Sequence, residues 1–157
     1  MAHDTLAPDI RAELDQLLAA DRLILQFPLW WFSVLAILKG WIDRVLVNGV
    51  VYGQGKRAML VTGTGCYPRM MEPDGLLAAL DINLWHLQHG TLAYAGCDVL
   101  PAFKAWCLHY TDEAQRQAYL EAYDLPWPLE QPPWPPQSQW PFLRRPVAGP
   151  GHERRAD

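Results

Sequence analysis

Three aromatic residues in a row, Trp30, Trp31 and Phe32, follow a short apolar run that is ended by Pro28. The run, at 23–25, is too short for a helix and predicts a buried parallel strand. Its aromatic loop would then lie at the carboxyl end of the sheet, where ligands of open α/β sheets bind. Apolar and aromatic contacts of this kind suit a planar cofactor. The alternative is that the three side chains only pack in the core, as aromatic clusters usually do.

A second candidate loop follows the stretch at 56–64, which reads KRAMLVTGT and predicts another buried strand. Thr64 and Gly65 open this loop, and Cys66 comes next. The Gly/Thr pattern resembles a phosphate-binding loop only superficially, because it lacks the Lys-Ser/Thr pair of a P-loop. We therefore expect it to contact the polar edge of a ring. Cys66 could be redox active, or it could be a small packed side chain.

The histidines and cysteines predict little further chemistry. His86 and His89 are three residues apart on a predicted helix and could share a metal ion with His109. No carboxylate or cysteine completes that set, so we expect no metal site. The three cysteines are scattered and include no CxxC pair. They fit a reducing compartment better than a disulfide framework, which predicts a cytoplasmic protein.

Composition narrows the class of protein. The chain has 157 residues, of which 50% are hydrophobic and 19% charged, as is typical of one globular domain. Its formal charge of −4 argues against nucleic acid as the main partner, because phosphate binding needs a basic surface. No apolar run approaches the ~20 residues needed to cross a bilayer, so we expect no membrane span.

Apolar residues at helical spacing predict the elements that would position the two loops. The first helix is expected over 6–20, capped by Asp4 or Thr5. The second is expected over 34–46 and ends at Asn48-Gly49. Its inward face would contain Val34, Ile37, Leu38, Trp41 and Val45.

Two further helices and one strand complete the predicted fold. A third helix is expected to begin at an Asp74 cap. Its buried leucines would be Leu76, Leu80, Leu84 and Leu87. A third strand, at 99–107, would be irregular because it contains Pro101, and a last helix, at 111–123, would be capped by Thr111. One helix followed by three strand–helix units predicts an α/β fold with a parallel sheet.

The composition changes at Asp124. Nine of the 14 prolines lie after it, interleaved with Trp127, Trp134 and Trp140. Such a run cannot hold a helix or a central strand and is expected to be polyproline-like or disordered. It could be a ligand for a domain with an aromatic groove, or a non-native extension. We therefore divide the chain into a domain at 1–123 and a tail at 124–157.

Several stretches of this sequence resemble the quinone reductase branch of the flavodoxin-like family. They are FPLWWFSVLAILKGWIDRVL, VYG, KRAMLVTGTG, PDG and NLWHLQHGTLAYAGCDVLP, and the resemblance covers roughly 6–123. It implies a flavodoxin-like fold with helices on both faces of the sheet, bound FAD or FMN, and a homodimer with active sites at the interface. The implied activity is that of an NAD(P)H dehydrogenase (quinone), in which hydride passes from NAD(P)H through the flavin to a quinone.

The resemblance also implies roles for individual residues. Flavin contact is implied for Pro28, Leu29, Trp31, Phe32, Thr64, Gly65 and Cys66. The quinone pocket would include Trp31, Phe32, Tyr52 and Met71. The resemblance does not identify a catalytic residue. The tyrosine and histidine used by some members align with Met71 and Leu77, so neither is present at its position here. Tyr67 could replace that tyrosine through a loop shift.

The largest departure from the family is at the N-terminus of the chain. The family begins with a strand, a phosphate-binding loop with His and Ser, a helix and a second strand, and all of these would precede this sequence. That first strand is central in the order 2-1-3-4-5, so the strand at 23–25 is expected to form an open apolar edge. We interpret the chain as incomplete, which puts its activity in doubt. The alternatives are a flavin-free ancillary binding subunit of the same fold and a non-functional fragment.

Overall fold

The computed structural model describes residues 6–47, 50–53 and 55–124. The expected caps Asp4 and Thr5, the helix end at Asn48-Gly49 and the tail beyond Asp124 lie outside these residues. The described elements are α1 (Pro8–Ala19), β1 (Arg22–Pro28), α2 (Ala36–Val45), β2 (Arg57–Gly63), α3 (Leu80–Leu87), β3 (Asp98–Val99), β4 (Phe103–Ala105) and α4 (Glu113–Asp124). The predicted parallel α/β fold is confirmed.

β2 is the central strand of this sheet. It pairs in parallel with β1 from Arg57 opposite Arg22 to Gly63 opposite Pro28. On its other side it pairs first with β3 and then with β4, again in parallel. β3 and β4 are the two halves of the predicted third strand, and Pro101 lies in the gap because it has no N–H for the ladder.

The main core lies between one face of the sheet and helices α2 and α3. Its most deeply buried members include Leu25, Phe27, Ala58, Leu60, Leu80, Leu84 and Leu87. A smaller cluster joins α1 to α2 through Leu14 and Val45, while Met59 and Val61 pack on the opposite face of the sheet. Burial on both faces explains why β2 reads as a continuous apolar run.

β1 forms the edge of the described sheet. Within the described ranges it pairs only with β2, and its residues alternate between exposed Ile24 and buried Leu25 and Phe27. The expected open edge is therefore present in this part of the chain. An apolar residue on such an edge favours pairing with another strand.

The expected start of the third helix is wrong. Asp74 does not cap it, since α3 begins at Leu80 and has no side-chain cap. Residues 72–79 instead fold back on the 3₁₀ turn Pro68–Met71, where the Leu77 N–H donates to the Met70 carbonyl at 2.9 Å. That turn leaves Leu76 84% exposed, so only the later leucines of the predicted apolar series reach the core.

Two local expectations about helices also need correction. α4 is capped by Asp112, whose Oδ1 accepts a hydrogen bond from the Gln115 N–H at 2.8 Å, while the Thr111 hydroxyl donates to the Leu108 carbonyl. On α2, Ile37 does not face inward and is 83% exposed. None of the helices among the described residues has the length and apolarity that crossing a bilayer requires.

The burial of His89 predicts that the stability of the fold depends on pH. His89 lies in the π-helical turn Gln88–Ala93, is buried, and stacks on Trp85 with ring centroids 5.3 Å apart. Burial lowers the pKa of His89 below its ordinary value of 6.5. The unfolded chain therefore binds this proton more readily than the folded chain. The contribution of neutral His89 to the free energy of unfolding should be intact above 6.5 and decline as the pH falls below it.

We expect urea unfolding to show lower stability near pH 5 than near pH 8, and His89→Gln to shrink that difference. His109→Gln removes an exposed imidazole and serves as the matched control. An equal loss of pH dependence in both variants would show that burial of His89 is not the cause.

Candidate functional site

The three aromatic residues form a tight exposed turn at the carboxyl end of β1. The Ser33 N–H donates to the Trp30 carbonyl at 3.1 Å, which closes a four-residue turn. Trp31 is 94% exposed, and Trp30 and Phe32 are also exposed. The alternative that this cluster only packs in the core is therefore not supported. Exposed aromatic surface of this kind is available for a ligand or a partner.

The turn holds two bulky residues in strained backbone conformations. Trp31 has φ of 51° and Phe32 has φ of 62°, in the left-handed region that normally favours glycine or asparagine. Each costs roughly 1–3 kcal/mol, and residues of this kind cluster at functional sites. His86 supports the turn, because its Nε2 lies 3.2 Å from the Ser33 Oγ. The chain thus maintains an unfavourable geometry that projects two rings outward.

The second predicted loop lies beside the first. The Leu29 N–H donates to the Gly63 carbonyl at 2.8 Å, which ties the two strand ends together. Thr64 is buried, and its Oγ1 accepts a hydrogen bond from the Cys66 N–H at 3.1 Å. Gly65 is exposed, and a Cβ there would meet only His109 at 3.4 Å. The backbone at Gly65 is therefore accessible from solvent beside the His109 ring.

A cavity of 690 Å³ runs from these strand ends along α4. Pro28, Gly63 and Ala105, the last residues of β1, β2 and β4, all line it. Most of its wall is apolar, including Leu108 and Phe27. The cavity therefore lies between α4 and the face of the sheet that carries Val61 and Phe103, and it reaches the carboxyl ends of the strands at Pro28 and Gly63. That edge is where ligands of open sheets bind.

Arg116 is the only charged residue among the described residues that line this cavity. Its Nη2 donates to the Thr111 carbonyl at 2.9 Å, which holds the guanidinium near the first turn of α4. Sequence reasoning missed Arg116. Arg116 lies in the first turn of the helix that follows the last strand, and this position was a usable signal. The N-terminus of such a helix lies near the carboxyl end of the strand, which is the edge where ligands bind.

The structure does not gather all the predicted site residues into one place. Tyr52 lines a separate cavity of 210 Å³ with Tyr94, and the two rings meet edge-on at 5.6 Å. Met71 is buried in the main core. Tyr67 is exposed and stacks on Tyr110 with ring centroids 6.3 Å apart. The structure therefore brings the two loops side by side, and of the predicted site residues only Pro28 lines the 690 Å³ cavity.

Potential metal ligands do not converge in the described part of the chain. In the ranges 6–47, 50–53 and 55–124, no group of three or more His, Cys, Asp or Glu side chains is arranged to hold a metal ion.

Comparison with known proteins shows which family this chain resembles. The sequence model of a family described as Flavodoxin-like fold matches residues 1–125. A relative from Pongo abelii named Ribosyldihydronicotinamide dehydrogenase (quinone) is 37% identical over 150 residues, which cover 88% of this chain and 65% of the relative.

Solved structures give the same result. A protein from Klebsiella pneumoniae assigned as a quinone reductase superposes with a TM-score of 0.75 at 39% identity, over 84% of this chain and 59% of that protein. General stress protein 14 from Treponema denticola, solved in complex with FMN, superposes with a TM-score of 0.64 at 26% identity, over 77% of this chain and 71% of that protein. The chain thus spans less than two thirds of the length of the first two of these relatives.

Proposed function

This chain belongs to the family of flavodoxin-like fold, and on that premise we propose that it is a flavin-binding NAD(P)H:quinone oxidoreductase. The observation that carries the proposal is the strained, outward-facing aromatic turn at 30–33 beside the open loop at Gly65. A fold that only needed to pack these rings would bury them. The names of the related quinone reductases and the FMN complex of a structural relative support the same function.

The residues present fit a flavin at the two loops. Pro28, Leu29, Trp31 and Phe32 would contact the faces of the ring, and Thr64, Gly65 and Cys66 would lie along its polar edge. The bound flavin would supply the redox chemistry by accepting and donating a hydride. This chain would supply apolar contact, orientation and backbone groups at the ring edge. Either FMN or FAD could be the flavin, with NAD(P)H as co-substrate.

Arg116 is proposed to bind the phosphate of the flavin from the far side of the cavity. A guanidinium forms charge-assisted hydrogen bonds with phosphate oxygens. Arg116→Gln is expected to raise the Kd for FMN about 3- to 10-fold, since the side chain is partly solvated and already paired with Glu113 at 3.5 Å. Titration of flavin fluorescence gives the Kd. Arg44→Gln, which removes an arginine that is paired with Asp9 and does not line the cavity, should leave it unchanged.

A homodimer is part of the proposal. Several large apolar side chains are exposed on α2 and α3, including Ile37 and Ile82, and exposed apolar patches mark interaction surfaces. In such a dimer Tyr52 of one protomer would border the quinone pocket of its partner, although it is remote from the cavity within one chain. A cytoplasmic location fits the three free cysteines.

The test of function uses the purified full chain. FMN and FAD are titrated separately, and binding is followed by quenching of flavin fluorescence. NADH- or NADPH-dependent reduction of menadione is then measured with the better-bound flavin. Retained flavin with turnover supports the proposal, whereas no binding of either flavin overturns it.

The open edge of β1 favours one other candidate function, a flavin-free ancillary subunit. Such a subunit would use the edge to pair with a strand of a partner protein. It would bind neither flavin and would co-purify with that partner, so the same titration separates the two functions.

A further inference from the structure

We propose that Cys66 and Cys107 are a redox-sensitive pair that forms a reversible disulfide on exposure to a peroxide. The Cys107 thiol already donates a hydrogen bond to the carbonyl oxygen of Cys66, with Sγ and O 3.2 Å apart. The two residues are far apart in the sequence, so only the fold places them together. Cys66 also belongs to the loop assigned to the flavin edge, but the pairing itself does not depend on flavin binding.

The backbone around the two cysteines holds them side by side. The Thr64 N–H donates to the Ala105 carbonyl at 2.9 Å, and the Leu108 N–H donates to the Thr64 carbonyl at 3.2 Å. Cys107 itself lies in a left-handed turn with φ of 55°, closed by the Tyr110 N–H at 2.7 Å from its carbonyl. These bonds keep the two segments adjacent, and closing the S–S bond requires the two side chains to rotate toward each other.

The third cysteine provides an internal contrast. Burial raises the pKa of the Cys97 thiol above its ordinary value of 9.0. Because the thiolate is the reactive form, Cys97 should react slowly. All three cysteines are free and partly exposed, so the access of a peroxide to the thiols does not distinguish them. The fold distinguishes the pair by the contact of Cys107 with Cys66.

The chemistry balances with one peroxide per pair. The thiolate of one cysteine attacks a peroxide oxygen, which breaks the O–O bond and leaves a sulfenic acid and hydroxide; the hydroxide takes up the proton that the thiol had lost and becomes water. The second thiol then displaces the sulfenic hydroxyl as a second water and forms the S–S bond. The two sulfurs lose two electrons in total, and an external dithiol reverses the step by thiol–disulfide exchange.

The first experiment maps the oxidised cysteines in the full chain. The reduced protein is treated with hydrogen peroxide, alkylated and digested, and its linked peptides are identified by mass. We expect a monomer with one disulfide between Cys66 and Cys107, one alkylated thiol at Cys97, and full recovery of three thiols after dithiothreitol. Cys97→Ser should keep the disulfide. Three alkylated thiols, a link through Cys97, or a disulfide between two chains would each overturn the proposal.

A second experiment detects the pair without oxidation. Phenylarsine oxide binds tightly only where one arsenic can bond two neighbouring thiols. We expect one equivalent to bind to the reduced chain and to Cys97→Ser, and at least a tenfold loss of affinity in Cys66→Ser and in Cys107→Ser. Equal affinity in all four proteins, or no binding to the reduced chain, would overturn the proposal.

Discussion

Replacing Trp31 with alanine is expected to weaken flavin binding by about 1–3 kcal/mol, a roughly 5- to 150-fold rise in Kd. The free energy of unfolding should change by less than about 0.5 kcal/mol, because the indole is 94% exposed and has almost no packing to lose. The backbone at residue 31 stays in the left-handed region in both proteins, so its strain largely cancels. An effect on the Kd alone would therefore report contact with the ring.

Flavin fluorescence titration and urea unfolding measure the two quantities on the same variant. Leu76→Ala is the matched control, since it removes another large, 84% exposed apolar side chain that belongs to neither candidate loop. Its Kd for flavin should stay within twofold of the unsubstituted chain. If Trp31→Ala binds flavin as well as that control does, the aromatic turn is not a wall of the cofactor site.

The positions of the strands could be predicted because each buried strand carries its own signal. β1 and β2 are short apolar runs ended by Pro28 and by the Gly63–Gly65 region, and these features are local in the sequence. The interruption of the last strand was also readable, since Pro101 cannot donate a ladder hydrogen bond. Parallel pairing then followed from the helices that separate the strands.

The candidate site was only partly predictable for the opposite reason. Pro28 and Thr64 follow predicted strands, so their position at one edge of the sheet came from topology. The exposure of Trp31 and the approach of Arg116 depend on how the turn and α4 pack, which no local pattern encodes. Tyr52 likewise matched a family position, yet within one chain it lines a different cavity.

Leu84→Ala is expected to lower the free energy of unfolding by about 2–5 kcal/mol, whereas Leu76→Ala should change it by less than about 0.5 kcal/mol. The two leucines are eight residues apart, and helical spacing predicts that both face the core. The structure separates them, because Leu84 on α3 is fully buried and Leu76 lies in the exposed segment before α3. Removing Leu84 opens a cavity among residues of the sheet and α3 that cannot fully close.

Urea unfolding of the two variants distinguishes the observed start of α3 from a longer helix that begins at Asp74. A typical domain is stable by only about 5–15 kcal/mol, so the loss in Leu84→Ala should move the unfolding midpoint visibly. A helix that began at Asp74 would bury Leu76, and its alanine variant would then lose stability comparable to that lost in Leu84→Ala. Comparable losses would mean that residues 74–79 continue α3. These residues could then not fold back on the turn Pro68–Met71.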